Sequence, residues 1–345
     1  MLRQLRPIAA RCKRSPSRLL GAACQQARFY SVHAEAASTI KLQEIDPSKL
    51  SITKTTTPKE LVPQDELVFG RTFTDHMLSL EWTASTGWLA PRITPYQNLS
   101  LDPASCVFHY AFECFEGMKA YKDSKGQVRL FRPQKNMSRM NKSSARIALP
   151  TFDHSAMIQL ISKFVQIEER FIPSRRGYSL YLRPTMIGTQ RTLGVGPPGS
   201  ALLYVIASPV GPYYPTGFKA ISLEATDYAV RAWPGGVGDK KLGANYAPCI
   251  VPQIEAASRG FHQNLKYTMR ELADAANEGR LLEAFGAGTA AIVSPIRNIS
   301  WKGDLVDCGL KTDEEAGPVA LRMKDWIEAR QYGDEEHEWS YLVPQ

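Results

Sequence analysis

Residues 209 to 217, Pro-Val-Gly-Pro-Tyr-Tyr-Pro-Thr-Gly, cannot continue a helix or a central strand, because three prolines and two glycines interrupt any regular backbone pattern. Strand-like runs flank them, Leu202 to Ser208 before and Lys219 to Ala225 after. The chain therefore reads as two folded parts: a small N-terminal α/β domain over 67–207, a linker over 208–217, and a larger domain over 218–345.

Within the first part, Val128 to Arg132 reads as a strand. Pro133 stands at a natural first helical position and opens a helix to about Ala148, with Met137, Met140 and Ile147 spaced for one buried face. Tyr178 to Ile187 reads as a strand in which Tyr181, Arg183 and Thr185 share one face. The second part reads as a loop around Trp233 to Gly243, a helix over Asn245 to Arg259 and a short helix near Tyr267 to Asn277. There follow a Gly286-Ala287-Gly288-Thr289 turn between two extended segments and a terminal helix over Arg322 to Arg330.

The net charge of +8 suggests an anionic partner until its location is considered. Residues 1–33 hold Arg3, Arg6, Arg11, Lys13, Arg14, Arg18 and Arg28 and no acid, so removing those seven charges leaves about +1. Nucleic-acid binding loses most of its support. The segment has the composition of a mitochondrial transit peptide, with a processing-like Ala27-Arg28-Phe29-Tyr30-Ser31, which predicts the mitochondrial matrix; residues 34–66 read as an extended lead-in. No apolar run approaches the roughly 18 to 20 residues of a membrane span. Six scattered cysteines and six scattered histidines form neither a disulfide framework nor a metal-ligand pattern.

Three features could carry chemistry. Four glycines between Gly235 and Gly243 surround Lys240 and Lys241, so the backbone could pass close to a bound group while a lysine projects into a pocket; two solvated lysines on a surface loop fit the same composition. Gly286 to Thr289 offers backbone N–H groups and a hydroxyl suited to an anion, or simply a turn. Arg132 and Arg183, in or beside strands, could meet an oxyanion or merely a neighbouring carboxylate. Tyr110, Phe115, Tyr181 and Tyr246 serve equally as core or as an aromatic wall.

Taken together, these residues resemble the mitochondrial branched-chain aminotransferases of fungi, class IV pyridoxal-phosphate enzymes. The resemblance runs through Phe108 to Ala120, Leu130-Phe131-Arg132-Pro133, Tyr181-Leu182-Arg183-Pro184, Gly235 to Tyr246 and Leu281 to Ala291. It implies a two-domain fold of type IV (α/β, or α+β) and a homodimer completing each pocket. It also implies pyridoxal 5'-phosphate as cofactor, and exchange of an amino group between leucine, isoleucine or valine and 2-oxoglutarate in branched-chain amino acid biosynthesis and catabolism. Lys241 would be the Schiff-base lysine and proton shuttle. Arg132 and Thr289 would hold the phosphate, and Tyr246 the ring oxygen. Tyr110, Phe115 and Tyr181 would form the apolar wall, while Arg183 and the Ala290 N–H would receive the α-carboxylate. Ala291 and Ser294 stand where vertebrate relatives carry a C-x-x-C switch, so that redox control is not expected.

One departure stands out. Between Leu265 and Lys266 the chain passes directly from one helix to the next, where the family inserts about 60 to 70 residues, far beyond ordinary loop variation. That stretch normally supplies a glutamate for the pyridine nitrogen, a phosphate-binding turn and strands of the larger domain, which is therefore incomplete here. Two readings stay open: an active aminotransferase, or an inactive isoform or gene-model fragment that acts only as a non-catalytic dimer partner.

Overall fold

The computed structural model describes residues 42–214, 217–265 and 269–344. The transit-peptide segment 1–33, Pro215 and Thr216 of the linker, and Lys266 and Tyr267 beyond the expected junction lie outside the described residues.

The strands of the first part are β1 (Ser51–Ile52), β2 (His76–Thr83), β3 (Gly87–Trp88), β4 (Arg92–Pro95), β5 (Glu113–Phe115), β6 (Met118–Lys122), β7 (Val128–Phe131), β8 (Ser179–Gly188) and β9 (Ser200–Val210). With them run α1 (Cys106–Tyr110), α2 (Pro133–Arg146) and α3 (His154–Ile167). The second part holds β10 (Ile221–Ala225), α4 (Ile250–Ser258), β11 (Gln263–Leu265), α5 (Met269–Asn277), β12 (Ala284–Gly288), β13 (Ile292–Trp301), β14 (Asp304–Asp307), α6 (Pro318–Gln331) and β15 (Ser340–Leu342).

The first sheet has the order β1-β4-β2-β9-β8-β6-β7-β15, with β3 on β2 and β5 on β8. Its last strand comes from the end of the chain, since β15 pairs antiparallel with β7. The second sheet has the order β11-β10-β13-β12, with β14 on β13. There β10 is parallel to both β11 and β13.

Two helices cover the first sheet, and their apolar stripes explain why. Met137 and Met140 of α2 and Met157, Leu160, Ile161, Phe164 and Val165 of α3 are fully or almost fully buried against Leu130, Leu180, Leu182 and Leu203 of the strands. Asp153 caps α3, accepting from the Ala156 N–H at 2.8 Å. The second cluster is small, built from Ile221, Leu223, Met269, Ile296, Ile299 and a few neighbours. Ile250, Val251 and Ile254 of α4 remain exposed beside it.

Most expected elements occur, with shifts that have local causes. Pro133 opens α2 as its composition requires, and Arg132 caps it. The helix expected over Asn245 to Arg259 shortens to Ile250–Ser258, preceded by two 3₁₀ turns, because Pro248 has no N–H to carry a regular ladder. The helix expected from Tyr267 is described from Met269, and a short strand rather than a helix precedes it. Gly286 and Gly288 lie in β12, not in the turn; the turn is Thr289 to Ala291, and Ile292 after it takes the left-handed conformation, φ +63°. The terminal helix begins earlier than expected, at Pro318.

Candidate active site

Lys241 is held by the first sheet. Its N–H donates to Ser143 Oγ of α2 at 2.9 Å, and its carbonyl accepts from the Phe115 N–H of β5 at 3.1 Å. Leu242 next to it is 3% exposed within the larger core. These anchors separate the two adjacent lysines: Lys240 turns back to pair with Asp239, whereas Lys241 points into a group of aromatic rings.

The Lys241 Nζ donates to Tyr246 Oη at 3.0 Å and lies 4.4 Å from the centre of the Phe115 ring. The Phe115 and Tyr246 rings are 5.0 Å apart. Arg183 completes the group: its guanidinium sits 4.7 Å over Phe115, and Nη2 donates to Tyr181 Oη at 2.9 Å. The Arg183 Nε is buried without a hydrogen-bond partner among the described residues, a polar group of the kind that a bound anion satisfies. Gly117 permits this packing, because a Cβ there would come within 2.1 Å of Tyr181 Oη.

A second set surrounds a cavity of about 470 Å³ lined by Arg132, Lys119, Lys135, Arg139, Asn136, Gly288 and Thr289 among others. Among the described residues no carboxylate lines it. Arg132 has φ +52°, which turns its side chain at the start of α2 so that the guanidinium stacks on Trp339 at 4.3 Å. Its Nε too is buried and has no hydrogen-bond partner among the described residues. Basic groups without acids, beside the exposed Thr289 at a turn, suit a phosphate.

Arg139 links the cavity to the lysine's surroundings. It forms a bidentate pair with the fully buried Glu116, at 2.5 and 2.7 Å, and Asn136 donates to the same carboxylate at 2.9 Å. Its raised pKa owes most to that pair, with smaller contributions from Tyr246 and Tyr181.

The structure thus brings Lys241, Tyr246, Phe115, Tyr181 and Arg183 together, and Arg132 with Thr289. Ala290 is half-buried, and its carbonyl accepts from Lys119 Nζ at 2.8 Å. Tyr110 stands apart on α1, giving its hydroxyl to the Leu193 carbonyl. Residues that sequence reasoning passed over include Lys119 and Glu113. Burial pushes the Glu113 carboxyl up, partly offset by the Gly243 N–H, which donates to it at 2.7 Å, and by Arg183 and Lys241. Glu113 is two residues from Phe115 on one strand and so shares its face, a periodicity that could have flagged it.

No family model matches the chain. Relatives do. Over 370 residues the chain is 48% identical to the cytosolic branched-chain-amino-acid aminotransferase of Saccharomyces cerevisiae, covering 88% of this chain and 98% of that protein. The chain belongs to the branched-chain-amino-acid aminotransferase family. It is 47% identical to the mitochondrial aminotransferase of the same yeast, over 87% of this chain and 93% of that one, and 38% identical to the mitochondrial form of Mus musculus, over 83% and 88%. Solved aminotransferases share the fold. That of Thermobaculum terrenum, in its PLP-bound holo-form, has TM-score 0.55 at 16% identity, covering 77% of this chain and 98% of that one. The Escherichia coli aminotransferase has TM-score 0.56 at 19% identity, over 79% and 99%. The first alignment also exposes the shortening: 88% of 345 residues is about 304, so about 66 of its 370 positions have no residue of this chain opposite them.

Proposed function

We propose that this chain transfers amino groups between leucine, isoleucine or valine and 2-oxoglutarate, with pyridoxal 5'-phosphate as cofactor. The observation that carries this reading is a lysine amine directed onto a tyrosine hydroxyl and an aromatic ring, near a cavity lined by cationic side chains and no carboxylate.

The residues fit the cofactor at both ends. Arg132, with its unpartnered buried Nε, and Thr289 would hold the phosphate. Tyr246 would meet the ring oxygen, and Lys241 the aldehyde carbon. When bound, the cofactor supplies an electron sink that stabilises negative charge at the substrate Cα. Lys241 Nζ takes the proton from Cα and returns it on the other side of the transfer, a role that requires the short, fixed tether its backbone anchors provide. Phe115 and Tyr181 offer an apolar surface to an aliphatic side chain and keep water from it. Arg183 and the Ala290 N–H orient the α-carboxylate. Tyr110, on the exposed α1 beside Leu193 and Val195, fits the apolar wall of a neighbouring subunit's pocket in a homodimer. The acid-free N-terminal segment and the mitochondrial relatives support delivery to the matrix.

The test is an absorbance spectrum of the full chain with added pyridoxal phosphate, in wild type and in Lys241→Ala. A visible band in the wild type alone, with leucine-dependent glutamate formation from 2-oxoglutarate, is expected. A flat spectrum in the wild type, or an unchanged band in Lys241→Ala, overturns the catalytic reading.

A further inference from the structure

Lys119 is 3% exposed in the middle of β6, a position where an unpaired cation is costly. Its Nζ donates to the Ala290 carbonyl at 2.8 Å, across 171 residues of chain. That carbonyl belongs to the Thr289 to Ala291 turn, whose first residue is exposed, as are Gly286 to Gly288 before it. Among the described residues no other hydrogen bond joins this turn to the first sheet. The amine lines both the cavity holding Arg132 and Thr289 and a smaller one, about 110 Å³, formed in part by Ala290 to Pro295. Directly after the turn, Ile292 holds φ +63°, a conformation that a β-branched residue adopts only under constraint from its surroundings.

We propose that Lys119 is a positioning residue that clamps the Thr289 to Ala291 turn against the first sheet and so places Thr289 opposite Arg132 around a bound phosphate. The proposal rests on the reading of that cavity as the cofactor's phosphate site. Arg132 stands at the N-cap of α2 and stacks on Trp339, whereas Thr289 is exposed at the corner between β12 and β13. A single buried donor to the turn's carbonyl supplies the missing constraint. Burial brings the amine down to about 8, and Glu328 counters part of that, so near neutral pH it remains mostly charged and adds a cation to the same wall.

The experiment compares pyridoxal phosphate with pyridoxal, which lacks the phosphate, as binding probes for the full chain by tryptophan fluorescence. Wild type, Lys119→Met and Lys119→Arg are titrated with each. Wild type is expected to prefer the phosphorylated probe. In Lys119→Met this preference falls at least tenfold while pyridoxal affinity stays within twofold, and Lys119→Arg recovers most of it. An unchanged preference in Lys119→Met overturns the proposal. So does an equal loss for both probes, which would mark general damage to the fold. A wild type that shows no preference overturns the phosphate-site reading, and the proposal with it.

Discussion

Lys119→Met also makes a quantitative prediction about stability. Folding brings the amine to about 8 from its ordinary 10.5, chiefly through burial. Between those values the unfolded chain keeps a proton that the folded chain has released, so raising the pH through this window stabilises the fold as far as Lys119 is concerned. At about 1.4 kcal/mol for each factor of ten, the cost of the buried charge is about 3 kcal/mol below pH 8 and vanishes above about 10.5. Other groups work in the opposite direction. Burial pushes the Cys308 thiol up to about 11 and the Tyr332 hydroxyl up to about 12, and raises Cys114 and Tyr121 further. The folded chain holds those protons longer, so these groups lower stability as the pH climbs past their ordinary values. The wild-type profile is thus a sum of opposed trends, and the difference between wild type and Lys119→Met isolates the lysine. Urea unfolding of both proteins from neutral to alkaline pH should show the variant gaining about 3 kcal/mol more, relative to wild type, below pH 8 than above 10.5. The lost hydrogen bond to Ala290 subtracts about 1 kcal/mol throughout. Parallel profiles would refute the buried-cation argument.

Two further substitutions probe the site's supports. Glu116→Gln removes the charge that Arg139 meets at 2.5 and 2.7 Å; loss of that buried partner should destabilise the fold by about 3 kcal/mol in denaturant unfolding, and a change below about 0.5 kcal/mol would show the pair to be dispensable. Gly117→Ala places a methyl group within 2.1 Å of Tyr181 Oη, so the ring must shift and release Arg183. Steady-state kinetics should show KM for leucine raised about tenfold with little change in kcat, and an unaltered KM would separate Arg183 from carboxylate binding.

The Arg132-Pro133 corner was legible because its physics is local: alternating apolar residues give the strand, and a proline at the first helical position starts the helix. The left-handed backbone of Arg132 was not, since nothing about arginine favours it; pairing of the neighbouring β15 and stacking on Trp339 select it. The Gly-rich turn was misplaced for a related reason. Glycine permits a turn without requiring one, and the register Gly288↔Ile292 set by β13 moves the corner three residues on. Charged residues inside strands were the main blind spot. Strict alternation would leave Lys119 on the face opposite Met118 and Ala120, but β6 is covered on both sides and buries four consecutive residues, Met118 to Tyr121.

The two cores carry unequal shares of the candidate site. The first core is extensive and carries Arg132, Phe115, Tyr181 and Arg183 on its own strands and helix start. Lys241 lies in the second half of the chain, yet its anchors are Ser143, Phe115 and the buried Leu242, all part of or packed on the first core. About 66 positions of the first alignment have no residue of this chain opposite them and the apolar Ile250, Val251 and Ile254 are exposed, yet the three anchors of the lysine lie outside the second core. Among the described residues, the Lys119 bond to Ala290 is the one hydrogen bond that joins the Thr289 to Ala291 turn to the first sheet. The Lys241 amine is thus held by one set of contacts, and the Thr289 to Ala291 turn is tied to the first sheet by another, the Lys119 hydrogen bond to the Ala290 carbonyl.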